Sequence, residues 1–171
     1  MINLTETEIF KYADGRIVHT GDVVSCATPG DLGVVALVAV RGSENAEIFQ
    51  SENGGIFIHY LNGCDVFYDD LSDEEDIEYV RSFDVEIRRQ FEQCGRTFAR
   101  YLTGEAMHIG DLVEYSNGGC LIQGRVSRVV APFSQESWGT DCVLGACEVN
   151  FNRGGRATVR IQHTLRLISR H

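Results

Sequence analysis

The chain has 171 residues, 43% of them hydrophobic and 23% charged, a balance that suits a folded protein and excludes wholesale disorder. Its formal charge of −10, from 25 acidic and 15 basic side chains, argues against the phosphate-neutralising surface on which nucleic-acid affinity depends. No apolar run approaches the roughly 20 residues that span a bilayer. The N-terminal MINLTETEIFKYADG also lacks the basic start and apolar run of a secretion signal, so no membrane contact and a cytoplasmic location are expected.

The predicted elements are short strands. Residues 11–24, KYADGRIVHTGDVV, hold a turn glycine, a brief apolar run and a Gly-Asp turn that opens a strand. VVALVAV (34–40), GIFIHYL (55–61), DVFYDD (65–70) and IEYV (77–80) follow, rich in β-branched and aromatic residues. Asn53-Gly54, Asn62-Gly63, Asn117-Gly118 and Gly154-Gly155 suit tight hairpins. Strands at this spacing, about 8–12 residues, predict an all-β fold of sandwich or barrel type. Residues 83–99, FDVEIRRQFEQCGRTFA, depart from the pattern. They read as a helix of two or three turns over Asp84–Gln93 ended by Gly95, or else Phe83–Arg89 completes the first sheet.

An internal repeat organises the whole chain. KYADGRIVHTGDVV at 11–24 aligns without a gap to RYLTGEAMHIGDLV at 100–113, an offset of 89 residues, with six of fourteen positions identical. The identities are Tyr12/Tyr101, Gly15/Gly104, His19/His108, Gly21/Gly110, Asp22/Asp111 and Val24/Val113. Later landmarks recur in the same order with slips of one or two residues. GVVALVAV (33–40) resembles GRVSRVVA (124–131), IFIHYLNG (56–63) resembles ACEVNFNRG (146–154), and DIEYVRS (76–82) resembles TLRLISRH (164–171). The predicted organisation is a first copy over 1–82, a connecting segment over 83–99 that overlaps the start of the second, and a second copy over 90–171. Each copy reads as a small β-barrel or curled sheet.

Catalytic chemistry finds no support in the residue patterns, and the expectation is a non-enzyme. No phosphate loop, dinucleotide fingerprint or nucleophile elbow occurs. The repeated His19 and His108 have no acid, thiol or hydroxyl repeated beside them except Asp22 and Asp111. His-x-Gly-Asp is better read as turn geometry, with the aspartate bonding backbone amides. His59 reads as a strand residue. The six cysteines form no C-x-x-C pair and are expected to behave mostly as small buried hydrophobes. No calcium-loop pattern accompanies the aspartates, so neither a metal nor a cofactor is expected.

Charge, by contrast, is divided unequally. Residues 1–82 hold sixteen acidic and four basic side chains, a net of −12, whereas 90–171 carry a net of +2. The acid concentrates in DVFYDDLSDEEDIEY (65–79), which has no basic residue and is interleaved with aromatics. A solvated loop is the plain reading of such a run. The basic counterpart in the second copy, RGGRATVRIQHTLRL, points instead to surfaces that diverged toward different contacts. The candidate partner-binding residues are Asp65, Tyr68, Asp69, Asp70, Asp73, Glu74, Glu75 and Asp76, which would attract a basic protein.

The module Tyr-x-x-Gly-x-x-x-His-x-Gly-Asp-x-Val followed by a G-x-V strand resembles the start of small SH3-like barrels. More particularly it is similar to cytoplasmic immunity proteins of bacterial polymorphic-toxin systems. Asp14, Gly15, Val18, Gly21, Asp22 and Val24 carry the pattern in the first copy, and Gly104, Gly110, Asp111 and Val113 in the second, where Thr103 and Met107 depart from it. Asp76-Ile77-Glu78 matches the closing strand in the first copy alone. The resemblance implies tandem SH3-like β-barrels joined by a short helix. It also implies a stoichiometric inhibitor that occludes the active site of a cognate toxin domain with a basic surface. The runner-up is a regulatory or adaptor protein whose tandem barrels bind a peptide or a nucleic acid, for which the nine arginines of residues 90–171 are the best support.

Overall fold

A computed structural model describes residues 10–26, 31–69, 71, 77–98, 100–160 and 165–170. The chain divides into two compact units, the first comprising Met1–Arg96 with Trp138–Asp141, the second Thr97–Ser137 with Cys142–His171. The first contains β1 (Asp22–Ser25), β2 (Leu32–Val40), α1 (Glu44–Ile48), β3 (Gly54–Tyr60), β4 (Asp65–Tyr68), β5 (Glu78–Ser82) and α2 (Val85–Gln93). The second contains β6 (Leu112–Asn117), β7 (Cys120–Val130), β8 (Ala146–Phe151), β9 (Arg156–Val159) and β10 (Leu165–Ser169). The fold is mainly β.

The two sheets have the same plan. The first runs β5-β1-β2-β3-β4 and the second β10-β6-β7-β8-β9, with antiparallel pairing throughout. Register breaks coincide as well. The β1/β5 ladder passes over Val80, and the β6/β10 ladder passes over Ile168. The β2/β3 ladder passes over Ala36, and the β7/β8 ladder over Ser127. Each bulge adds local twist, so both sheets curl at the same two places. Neither closes into a barrel, because among the described residues no ladder joins β4 to β5 or β9 to β10.

Superposed by register, the cores correspond residue for residue. Tyr12, Val18, Val24, Val35, Ile56, Ile58 and Ile77 in the first unit match Tyr101, Met107, Val113, Val126, Cys147, Val149 and Leu165 in the second. Gly33 and Gly124 occupy equivalent places opposite Tyr60 and Phe151. A Cβ at Gly124 would lie 2.5 Å from the Asn150 carbonyl oxygen, and one at Gly33 would lie 2.7 Å from the Tyr60 ring. The G-x-V signature is therefore a packing requirement, repeated with the fold.

The segment over 84–93 is helical. Asp84 caps α2 by accepting the Ile87 N–H at 2.9 Å, and Gly95, at φ 68°, follows its end. Ile87 and Phe91, four residues apart on one face, are fully buried. The helix is thus a packed part of the first unit. The cysteines depart from expectation: Cys147 is buried, but Cys64, Cys94 and Cys120 are exposed. Cys64 immediately precedes β4, Cys120 opens β7 and Cys94 caps the end of α2, places where the side chain has no core to enter. Burial alone pushes the Cys147 thiol up to about 12, so it is protonated and inert at neutral pH.

Candidate functional site

The repeated motif is a buried hydrogen-bond device. In the first unit the Tyr12 hydroxyl donates to Asp22 Oδ2 at 3.0 Å, and the same oxygen accepts the His19 backbone N–H at 2.8 Å. In the second, the Tyr101 hydroxyl and the His108 N–H reach Asp111 Oδ2 at 2.8 and 2.9 Å. Backbone bonds recur in step, with Gly21 N–H to the Val35 carbonyl and Gly110 N–H to the Val126 carbonyl, each at 2.8 Å. Both glycines lie at φ above 90°, a region open to glycine at little cost. Burial, then the neighbouring aspartate, pushes both tyrosine hydroxyls well above their ordinary range and keeps them donors. The imidazoles of His19 and His108 are exposed, and the aspartate uses only their backbone. This arrangement clamps the entering hairpin to the first strand of each sheet.

Of the acidic candidates, Asp65, Tyr68 and Asp69 are described, and they do not play one role. Asp70, Asp73, Glu74, Glu75 and Asp76 lie outside the described residues. Asp65 opens β4, an edge strand, but its carboxylate is engaged inside the first unit. His59 Nδ1 donates to it at 2.7 Å, and the Arg96 guanidinium binds the same oxygen while also donating to the Tyr60 carbonyl at 3.1 Å. Tyr68 faces the core, its hydroxyl 3.2 Å from that of Tyr60. Asp69 is exposed at the end of the strand.

Partial burial pushes the Asp65 carboxyl up, but the hydrogen bond and charge of His59 and then the Arg96 guanidinium outweigh it, and the net shift is downward. A depressed carboxyl stabilises the fold above its ordinary pKa of about 4, and that contribution disappears as pH falls through the lowered value. Thermal midpoints of the wild type and Asp65→Asn are therefore expected to differ at about pH 6 and to converge below about pH 3. An offset that stays constant across this range would show that the carboxylate charge does not matter.

The largest divergence between the copies lies on the sheet face opposite the shared core. In the first unit this face is Val23, Val34, Leu37, Phe57, His59, Asp65 and Phe67, paired across β1–β4. Phe49, following α1, stacks on Phe67 at 4.4 Å and lies 5.1 Å from Phe57. His59 is 4% exposed beneath this layer. In the second unit the same positions are Leu112, Arg125, Arg128, Glu148, Asn150, Arg156 and Thr158. Arg128 and Arg156 both bond Glu148, at 3.2 and 3.4 Å, and Arg128 also pairs with Glu136. Arg125 donates to the Gly110 carbonyl at 3.0 Å. One copy has covered its outer face with apolar side chains, while the other presents a cationic face to solvent.

The second unit also holds an open groove of about 370 Å³ between the 100–106 hairpin and strands β6, β7 and β10. Sequence reasoning missed it, because Leu102 and Leu121 stand out only as exposed leucines in a polar context. Among the described residues no cluster of three or more His, Cys, Asp or Glu side chains is placed to hold a metal ion, and no helix is long and apolar enough to cross a membrane. Comparison with protein-family models and with curated proteins gives no match.

Proposed function

We propose that the chain is a non-enzymatic binding protein, an immunity-type inhibitor that neutralises a basic toxin domain through the acidic surface of its first unit. The observation that carries this reading is the contrast between conserved interior and divided charge. The two units share strand order, bulges and core, yet residues 1–82 hold a net charge of −12 and residues 90–171 a net of +2. Two copies of one scaffold that differ chiefly at the surface have been adapted for contacts. The strand order, in which the fifth strand returns beside the first, supports kinship with SH3-like barrels.

The contact set is Asp69, Asp70, Asp73, Glu74, Glu75 and Asp76, whereas Tyr68, which packs against the core, drops out of it. Asp65 serves as a support for it, since its carboxylate is already held by His59 and Arg96. Dense negative charge accelerates encounter with a cationic partner and penalises anionic ones. The adaptor reading draws on the cationic outer face of Arg125, Arg128 and Arg156 instead.

The experiment is affinity capture with the full chain from lysate of the organism that encodes it, beside the variant carrying Asp69→Lys, Asp70→Lys, Asp73→Lys and Glu74→Lys. The expected result is one basic protein held at equal stoichiometry through gel filtration, with affinity lowered at least about 100-fold in the variant. Unchanged affinity would sink the acidic contact. Recovery of nucleic acid, lost when Arg125 and Arg156 are changed to glutamate, would favour the adaptor.

A further inference from the structure

The two copies use the same connection differently. In the first copy the segment 41–53, between β2 and β3, folds over its own sheet, where Phe49 stacks on Phe67. The matching segment of the second copy, 131–145, is pinned near its base by the Phe133 N–H, which donates to the Val143 carbonyl at 2.8 Å. Its tip does not stay with that base. Trp138–Asp141 is part of the first unit.

Within the first unit the tip meets a weak point of the sheet. A bulge leaves its extra residue unpaired in the ladder. In β2 that residue is Ala36, which is fully buried. A buried backbone carbonyl without a donor is costly, and here the Gly139 N–H donates to the Ala36 carbonyl at 3.2 Å. Beside it the Trp138 ring meets Phe83 edge to face, with centroids 4.9 Å apart. Phe83 is itself tied to the clamp: its N–H donates to the Gly21 carbonyl, and the Gly21 N–H donates to the Val35 carbonyl, each at 2.8 Å. Trp138 and Gly139 therefore close the corner where the start of β1, the β2 bulge and the end of β5 come together. The matching bulge residue of the second unit, Ser127, is half-buried, and its own hydroxyl donates to the Glu148 carbonyl at 3.2 Å.

We propose that Trp138–Asp141 is a strap, a segment that belongs by sequence to the second copy and holds this corner of the first unit closed. The first unit is accordingly incomplete in residues 1–96. Loss of the strap removes the Gly139 bond and the Trp138 ring together, so local opening of the corner becomes easier while the second unit is unaffected. The strap does not depend on the role assigned to the acidic surface.

The test is NMR on the full chain, reading proton–proton cross-peaks and amide exchange. In the wild type, cross-peaks are expected between the Phe83 ring and the indole of Trp138, the single tryptophan of the chain. Trp138→Ala is expected to speed exchange at Gly21 and Phe83 about tenfold, the scale of one aromatic pair. Gly110 and Val126, whose amides are hydrogen-bonded in the second unit, are expected to change less than about twofold. Trp138→Phe keeps an aromatic ring and is expected to give a smaller rise at Gly21 and Phe83 alone, which carries the test if the alanine variant does not fold. Missing cross-peaks, unchanged exchange at Gly21 and Phe83 in both variants, or an equal rise at Gly110 and Val126 would each overturn the proposal.

Discussion

Asp111→Ala is expected to destabilise the second unit by about 3 kcal/mol, because one carboxylate oxygen satisfies the buried Tyr101 hydroxyl and the half-buried His108 N–H, and a stranded buried donor costs about 1–3 kcal/mol. Asp111 is 3% exposed, and the alanine variant removes the acceptor of both the Tyr101 hydroxyl and the His108 N–H. Tyr101→Phe removes one of the two bonds and leaves the other, so a smaller loss of about 1–2 kcal/mol is expected. Asp22→Ala should act in the same way on the first unit, through Tyr12 and the His19 N–H. Thermal unfolding and amide exchange at His108 and His19 measure these effects. A midpoint shift of less than about 1 °C for Asp111→Ala would refute the clamp, since 1 kcal/mol moves the midpoint of a domain this size by several degrees.

The second large effect is expected at Gly124. Its missing Cβ would meet the Asn150 carbonyl oxygen at 2.5 Å and Val149 Cγ1 at 2.7 Å, and a backbone oxygen held in the β7–β8 ladder has nowhere to move. Gly124→Ala is expected to cost about 2–3 kcal/mol, the range of overpacked cores. Gly33→Ala is the matching change in the first unit. There the nearest atoms are Tyr60 Cδ1 and Ile58 Cγ2, at 2.7 and 2.8 Å, while the His59 carbonyl oxygen is farther, at 3.0 Å. Side chains yield more readily than a laddered backbone, so Gly33→Ala should cost less. Denaturant unfolding of both variants, with solvent-facing Thr158→Ala as the control, decides the ranking. Equal stability of Gly124→Ala and wild type would show that the β7–β8 approach is looser than described.

Both expectations rest on features repeated in the two copies, and those were the most legible ones. Tyr12, Gly21 and Asp22 lie within eleven residues, as do Tyr101, Gly110 and Asp111, so a local motif carries the complete clamp. The α2 boundaries were readable for the same reason, since Asp84 and Gly95 act on their immediate neighbours. Strand spacing leaves sandwich, barrel and curled sheet open, and among the described residues no ladder closes either sheet, because spacing reports strand number and says nothing about whether edges meet.

The duplication, the β character, the aspartate-to-amide bond of each turn and the unequal division of charge are legible in the order of residues alone, whereas the tyrosine hydroxyls on the same aspartates are not. Each legible feature depends on residues close in the chain or on simple counting. Which charges are available and which faces are covered depends on contacts between residues far apart in the chain. The Asp65 carboxylate belongs to an internal network because Arg96, 31 residues away, and His59 on the adjacent strand converge on it. The bulges at Ala36 and Ser127 shift the inward–outward alternation partway along their strands, so period-two reading fails from that point on. For this reason the apolar run of β2 conceals two buried faces, and the arginines of β7 do not announce the open cationic face they build.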